Sequence, residues 1–228
     1  MSFEVHDPDF LVFEHLLPQD AVIVDVGANA GQSIKSFKSI LRDCEIHSFE
    51  PNQEFHEVLR PLSLETSGLY VYLWGLSDKP GRTQFFIPVV DGLRCTQEAS
   101  MDLSEFDKPW VRSRLLSRGT DLRFEIFEAD LSAGDQFGFK PDLIKIDVEG
   151  AELAVIKGFG RTIQVYQPYV LAENSDGARC VAYMRELGYL PCMPDESYTC
   201  LVPFGGPARA NTVFVPDRFK RLIRNDRT

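Results

Sequence analysis

Ala21-Val22-Ile23-Val24-Asp25-Val26-Gly27-Ala28-Asn29-Ala30-Gly31 is the stretch on which the fold turns. Its first half is a continuous apolar run, the mark of a strand covered on both faces rather than one. Its second half holds two glycines, which let backbone N–H groups come close to a ligand, at the start of a helix predicted over Ser33 to Leu41. Ile34, Phe37 and Leu41 mark one face of that helix. Strand, glycine turn and helix in this order form one βα unit.

The same alternation repeats outward from this unit. Glu45 to Glu50 reads as a second strand, Pro51 sits near a helix start, and Phe55, Val58 and Leu59 form the buried stripe. Leu69 to Trp74 is a third strand. Asp78-Lys79-Pro80-Gly81 turns into Thr83 to Ile87, read as a hairpin or an extension of the sheet. After a segment of irregular spacing from Asp91 to Asp121, Leu122 to Phe127 is strand-like. Pro141 to Asp147 leads to a helix stopped near Gly158, and Tyr169 to Glu173 leads to one stopped by Gly188. Tyr189 to Met193 and Asn211 to Val215 close the sheet as an antiparallel pair, across a loop holding Gly205, Gly206 and Pro207. The pattern predicts an α/β chain with a mostly parallel sheet and helices on both faces.

Several functions are excluded by composition. A chain of 228 residues with net charge −10 repels polyphosphate at long range, so nucleic acid is not an expected partner. Cys44, Cys95, Cys180, Cys192 and Cys200 show no zinc spacing, and reduced thiols are the expectation. His6, His15, His47 and His56 form no metal-binding pair and no hydrolase triad. No apolar run reaches membrane-spanning length and no secretion signal opens the chain, so a soluble, cytoplasmic protein without membrane partners is expected. The tail 216–228 reverses the overall charge with Arg218, Lys220, Arg221, Arg224 and Arg227, and reads as a solvated terminal helix.

Four predicted strands finish in an acid: Asp25, Glu50, Asp147 and Glu173. Ligands of open α/β sheets bind beyond the carboxyl ends of the strands, so these acids are expected to meet in one crevice. The Gly27 loop is neither a P-loop nor a G-x-G-x-x-G fingerprint. An acid two residues before its first glycine suits a cationic amino acid better than a pyrophosphate. Glu50, 19 residues after Gly31, is placed to accept both hydroxyls of a ribose. An amino acid joined to a ribose points to S-adenosylmethionine. Lys145, inside an apolar strand, needs a carboxylate partner, with Asp25 and Glu173 as the alternatives.

Val24 to Gly31, Phe49-Glu50-Pro51-Asn52 and Ile144-Lys145-Ile146-Asp147-Val148-Glu149-Gly150-Ala151-Glu152 together resemble the FkbM family of class I S-adenosylmethionine-dependent methyltransferases, over roughly residues 20–215. The resemblance implies a Rossmann-like, seven-stranded sheet of order 3-2-1-4-5-7-6 with its seventh strand antiparallel. It implies O-methylation of a hydroxyl on a sugar, glycoside or related natural product, and a single methyltransferase domain over 1–228. By it, Gly27, Ala28 and Asn29 hold the methionine part, Gly31, Ser33 and Asp147 also bind the cofactor, and Asp25 faces the amino group directly or through water. Glu50 beside Pro51 holds the ribose, and Asn52, Leu76, Ser77 and Asp78 surround the adenine. Asn52 is equally a helix cap, and Ser77 and Asp78 equally turn residues.

Asp147, at a strand end beside the transferred methyl group, is the first candidate for orienting or deprotonating the acceptor, and Glu149 the second. Glu173 and Asn174 are placed on the acceptor side, and Asp147, Glu173 and Asn174 are a less favoured Mg²⁺ set. The segment 91–123 is expected to cover the acceptor, with Trp110 stacking on a sugar ring and Arg94 and Arg114 available to an anionic group. The alternatives are a nicotinamide-dependent oxidoreductase, which needs a tighter glycine fingerprint, and an S-adenosylmethionine-binding protein without turnover.

Overall fold

A computed structural model describes residues 5–174, 177–204 and 210–224. Two short elements precede the first strand, a 3-10 turn over Pro8–Val12 and helix α1 (Phe13–Leu16). The first units then run β1 (Val22–Val26), α2 (Gln32–Ile40), β2 (Glu45–Phe49), α3 (Gln53–Glu65) and β3 (Leu69–Tyr72). Next come β4 (Gly75–Ser77), β5 (Gly81–Val90), β6 (Leu93–Arg94), α4 (Pro109–Leu116) and β7 (Leu122–Ala133). The chain continues with β8 (Leu143–Ile146), α5 (Glu152–Gly158), α6 (Gly160–Tyr166), β9 (Tyr169–Glu173), α7 (Gly177–Glu186), β10 (Tyr189–Pro194), β11 (Leu201–Pro203) and β12 (Asn211–Pro216).

Eight strands form the main sheet in the order β11-β10-β12-β9-β8-β1-β2-β3. This corrects the expected seven-stranded sheet. The extra strand is β11, which pairs antiparallel with β10 at the edge, so β11 and β12 both run against the rest. Only three residues long, β11 carries too little periodicity to be read from sequence. The loop of Gly205, Gly206 and Pro207 that joins it to β12 lies outside the described residues.

The apolar runs have the physical cause anticipated for them. Ile23, Ile46, Leu143 and Leu171 pack with Phe13, Ile34, Phe37 and Leu59 on one face. Val24, Ile144, Ile146, Val170 and Phe214 pack with Leu153, Ile156, Ile163 and Met184 on the other. Successive strand residues point to opposite faces, and both faces are covered, so neither set can be polar.

Thr83 to Ile87 neither extends this sheet nor forms a hairpin with β4. It belongs to β5, in a second sheet of order β4-β7-β5-β6. There β5 and β7 pair antiparallel over ten residues, Gly81 to Val90 against Leu131 to Leu122, and β4 joins β7 in parallel. The irregular segment between β5 and β7 folds on a small core of its own, built from Val90, Cys95, Phe106, Val111 and Leu115. Its helix α4 spans Pro109–Leu116. The start of the basic tail is a 3-10 turn, Asp217–Leu222, rather than an α-helix. Arg218 there donates to the carbonyls of Tyr166 and Gln167, and Arg227 lies outside the described residues.

Candidate active site

The β1–β8 register sets Lys145 directly beside Asp25, and the β1–β2 register sets Ser48 on the other side. All three side chains share one face, and none reaches solvent. Asp25 Oδ2 accepts from Ser33 Oγ at 2.7 Å and from Ser48 Oγ at 3.1 Å. Lys145 Nζ lies 3.2 Å from Asp25 Oδ1, donates to the Gly27 carbonyl at 2.8 Å, and sits 3.6 Å from Asp147 Oδ2. Burial alone would lower the lysine pKa, but Asp25 and Asp147 outweigh it and the net shift is upward. The register thus selects Asp25 rather than Glu173 as the partner, and Lys145 ties the Gly27 loop to the end of β8.

That tie brings two backbones unusually close. A Cβ on Gly27 would lie 1.8 Å from the Asp147 carbonyl oxygen, and the residue holds φ +83°. Only glycine meets both conditions. The loop amides are spent internally: Gly27 and Ala28 N–H donate to the Phe49 carbonyl, Asn29 N–H to Glu50, Ala30 N–H to Asn29 Oδ1, and Gly31 N–H to the Ala28 carbonyl. The loop is therefore rigid before any ligand arrives.

Glu50 occupies the end of β2 with one oxygen on each side. Oε2 accepts from Asn29 N–H and Oε1 from Asn52 N–H, both at 2.9 Å. Burial pushes its carboxyl up to about 7, although both amide donors favour the ionised form. Each oxygen keeps a further lone pair, the acceptor pattern that two neighbouring hydroxyls require. Asn52 caps α3, its Oδ1 accepting from Glu54 N–H at 3.0 Å, while its buried Nδ2 has no partner among the described residues. An amide donor left unpaired inside the protein costs about 1–3 kcal/mol unless a ligand or water takes it.

These groups line a cavity of about 320 Å³. Gly27, Asn29, Glu50, Pro51, Asn52, Asp147, Glu149 and Arg114 all reach it from the predicted set. Phe55, Phe85, Phe127, Thr96, Gln97, Glu98, Ala99, Arg118 and Val148 also line it and were not anticipated. Phe85 and Phe127 come from the second sheet and stack on each other with ring centres 4.9 Å apart. Phe85 and Phe86 are adjacent and Phe124 and Phe127 three apart, so no alternation marks one face, and only the pairing of β5 with β7 brings Phe85 and Phe127 together at the cavity.

Other expectations are corrected. Asp25 and Ser33 form the buried support described above and do not face the cavity; Ala28 and Gly31 do not line it either. Leu76 is part of the main core, and Ser77 and Asp78 lie against α5, where the Ser77 carbonyl is 2.0 Å from a hypothetical Gly158 Cβ. None of the three lines the cavity. Trp110 is 62% exposed and turned outward, with Lys108 Nζ 5.5 Å from its ring centre. Arg94 pairs with Glu54 and Glu125 at 2.6 and 2.7 Å, away from the cavity.

Asp147, Glu149 and Glu173 gather at the ends of β8 and β9, each offering an oxygen within 4.8 Å of the others. Asn174, of the Mg²⁺ set, accepts at Oδ1 from Thr212 Oγ1 at 2.6 Å. Burial and the surrounding acids raise Glu149 to about 7 and Glu173 to about 9. Glu149 also holds φ +51°, a left-handed conformation unusual for a side-chain-bearing residue, and its carbonyl accepts from Ser100 Oγ at 2.7 Å. Such a cluster moves protons readily near neutral pH.

The family model described as Methyltransferase FkbM domain matches residues 25–191. This chain belongs to the FkbM methyltransferase domain family. The match begins at Asp25 and includes the Gly27 loop, Glu50 and the Asp147–Glu152 segment, the residues that frame the cavity. Among solved structures, an FkbM methyltransferase from Methylobacillus flagellatus KT superposes with a TM-score of 0.56 at 17% identity. The alignment covers 87% of this chain and 44% of that one, so the chain spans less than half of that protein. The likeness shows a shared class I methyltransferase-like α/β fold. A precorrin-6y C5,15-methyltransferase from Geobacter metallireducens aligns over 91% of this chain and 84% of its own, with TM-score 0.45 and 10% identity. An S-adenosylmethionine-dependent O-methyltransferase from Thermotoga maritima aligns over 93% and 64%, with TM-score 0.44 and 11% identity. No curated protein shows significant similarity to this chain. Among the described residues, no helix is long and apolar enough to cross a membrane.

Proposed function

We propose that this FkbM-family chain methylates a hydroxyl oxygen of a sugar, glycoside or related natural product, with S-adenosylmethionine as methyl donor. The observation that carries the reading is Glu50: a buried carboxylate fixed by two backbone amides, with its remaining lone pairs on the same cavity as the Asp147–Glu149 acids. The residues fit the cofactor, since Glu50 suits the ribose diol and the orphaned Asn52 Nδ2 is a donor awaiting an acceptor. Bound there, S-adenosylmethionine supplies an electrophilic methyl group on a sulfonium.

The protein's part is to hold the acceptor in line and to remove its proton. Glu50 and Asn52 anchor the nucleoside end, and Phe85 and Phe127 give an apolar wall beside Pro51. On the opposite side, Asp147 and Glu149 are within reach of an acceptor hydroxyl. A carboxyl raised to about 7 is a stronger base than an ordinary one and is still half ionised at neutral pH. Glu173, raised to about 9 by burial and the neighbouring acids, stays protonated at neutral pH and adds no further negative charge beside Asp147 and Glu149. Lys145 keeps Asp147 and the Gly27 loop at a fixed separation.

Thermal denaturation with S-adenosylhomocysteine tests the cofactor reading. At about 100 times its dissociation constant the ligand adds about 2.7 kcal/mol and raises Tm. No shift at millimolar ligand overturns the cofactor assignment, and a panel of labelled methyl-transfer assays on neutral and acidic glycosides tests the acceptor.

A further inference from the structure

We infer that the acceptor carries a carboxylate or phosphate, and that Arg114, steadied by Glu98 and Arg118, binds it; this rests on reading the cavity as the methyl-transfer site. Arg114 and Arg118 lie four residues apart at the end of α4, where Arg118 N–H still donates to the Leu115 carbonyl, so they share a face. Val111 and Leu115, at neighbouring helix positions, are buried in the small core. Both arginines line the cavity together with Glu50, Asp147 and Glu149.

Beneath them is Glu98, only 7% exposed. Its two oxygens lie 3.0 Å from Arg118 Nη2 and 3.4 Å from Arg114 Nη2. Arg118 is held on a second side, where Nη1 donates to Cys95 Sγ at 3.1 Å. Among the described residues, Arg114 has the one long contact to Glu98, which leaves most of its five N–H donors to a ligand. Two guanidinium groups on one carboxylate leave one positive charge on this wall, facing acids across the cavity.

Stability gives little reason for the arrangement, because ion pairs made by arginine side chains that are 48% and 39% exposed contribute little. The other arginines of the segment differ. Arg94 is saturated by two glutamates, and Arg112 only approaches Asp107 at 3.7 Å on the surface. Arg114 also acts electrostatically on Glu149, lowering its pKa against the burial that raises it. Guanidinium and base thus sit close enough for one small molecule to present an anion to the first and a hydroxyl to the second. A planar fork suits both carboxylate and phosphate. A uronic acid and a sugar phosphate both combine the two groups.

The test is calorimetric titration of D-glucuronate, D-glucose 6-phosphate and D-glucose into protein saturated with S-adenosylhomocysteine, at low salt. At least one charged sugar is expected to bind about tenfold or more tightly than glucose, and which one identifies the anion. Arg114→Ala should abolish that preference and Arg114→Lys should restore part of it, with S-adenosylhomocysteine affinity within about threefold of wild type in both. The inference is overturned if glucose binds as well as both charged sugars, or if the preference survives Arg114→Ala. It is equally overturned if Arg114→Ala weakens S-adenosylhomocysteine instead, which would assign the arginine to the cofactor's own carboxylate. Failure of wild type to bind S-adenosylhomocysteine at all is a distinct result that removes the methyltransferase reading together with this one.

Discussion

Replacing Lys145 by methionine tests the frame on which the whole site rests. The ammonium is 4% exposed, lies 3.2 Å from the fully buried Asp25, and donates to the Gly27 carbonyl at 2.8 Å. Methionine fills much of the same volume, so the cavity term is small and the loss is electrostatic. Asp25 would keep only the Ser33 and Ser48 hydroxyls. Removing one partner of a buried pair costs about 3–5 kcal/mol, because the other charge stays buried without compensation. In a chain of this size about 1 kcal/mol moves Tm by roughly 2–4 °C, so a drop of about 6–20 °C is expected. The double variant Lys145→Met/Asp25→Asn removes the stranded charge and should recover at least about 1 kcal/mol over Lys145→Met alone. Urea denaturation of wild type, Lys145→Met, Asp25→Asn and the double variant, with m-values compared, supplies the measurement. A loss under about 1 kcal/mol for Lys145→Met, or no recovery in the double variant, would refute the electrostatic account.

The remaining predictions concern the loop and the cavity. Gly27→Ala puts a methyl into the Asp147 carbonyl; more than about 3 kcal/mol of destabilisation is expected by urea denaturation, and a near-native midpoint would show that the two backbones can part. Glu50→Ala should weaken S-adenosylhomocysteine roughly 10- to 150-fold by calorimetry, through loss of about 1.5–3 kcal/mol of charge-assisted hydrogen bonding, and unchanged affinity would move the ribose elsewhere. The Glu50 carboxyl sits near 7 in the folded protein against an ordinary 4.5. The folded state therefore holds the extra proton between those values, and this contribution to stability is present below about 4.5 and lost as pH rises through about 7. Glu50→Gln should lose less stability than wild type between pH 5 and 8; parallel losses would contradict the raised value. Trp110→Ala, on an outward-facing ring, should change both acceptor KM and cofactor affinity by less than about twofold, and a tenfold rise in KM would bring the ring back into the acceptor site.

The sequence by itself determined the βα units, because a strand buried on both faces must be apolar throughout and a glycine turn must follow it where the backbone crowds β8. It also placed Glu50 and Asp147 on one crevice, since carboxylates at the ends of such strands converge by topology alone, and both line the cavity. Local patterns could not say which side chain met which across the sheet. The register, not the spacing, paired Lys145 with Asp25 and made Asp25 a buried support away from the cavity lining. The second sheet was equally hidden, because β4 joins β7 across more than forty intervening residues and no local signal specifies such a partner. Its folding carries Phe85, Phe127, Glu98, Arg114 and Arg118 to the cavity and leaves Trp110 outside. Side-chain direction there depends on which face of α4 is buried, and only packing against Val90, Cys95 and Phe106 decides it.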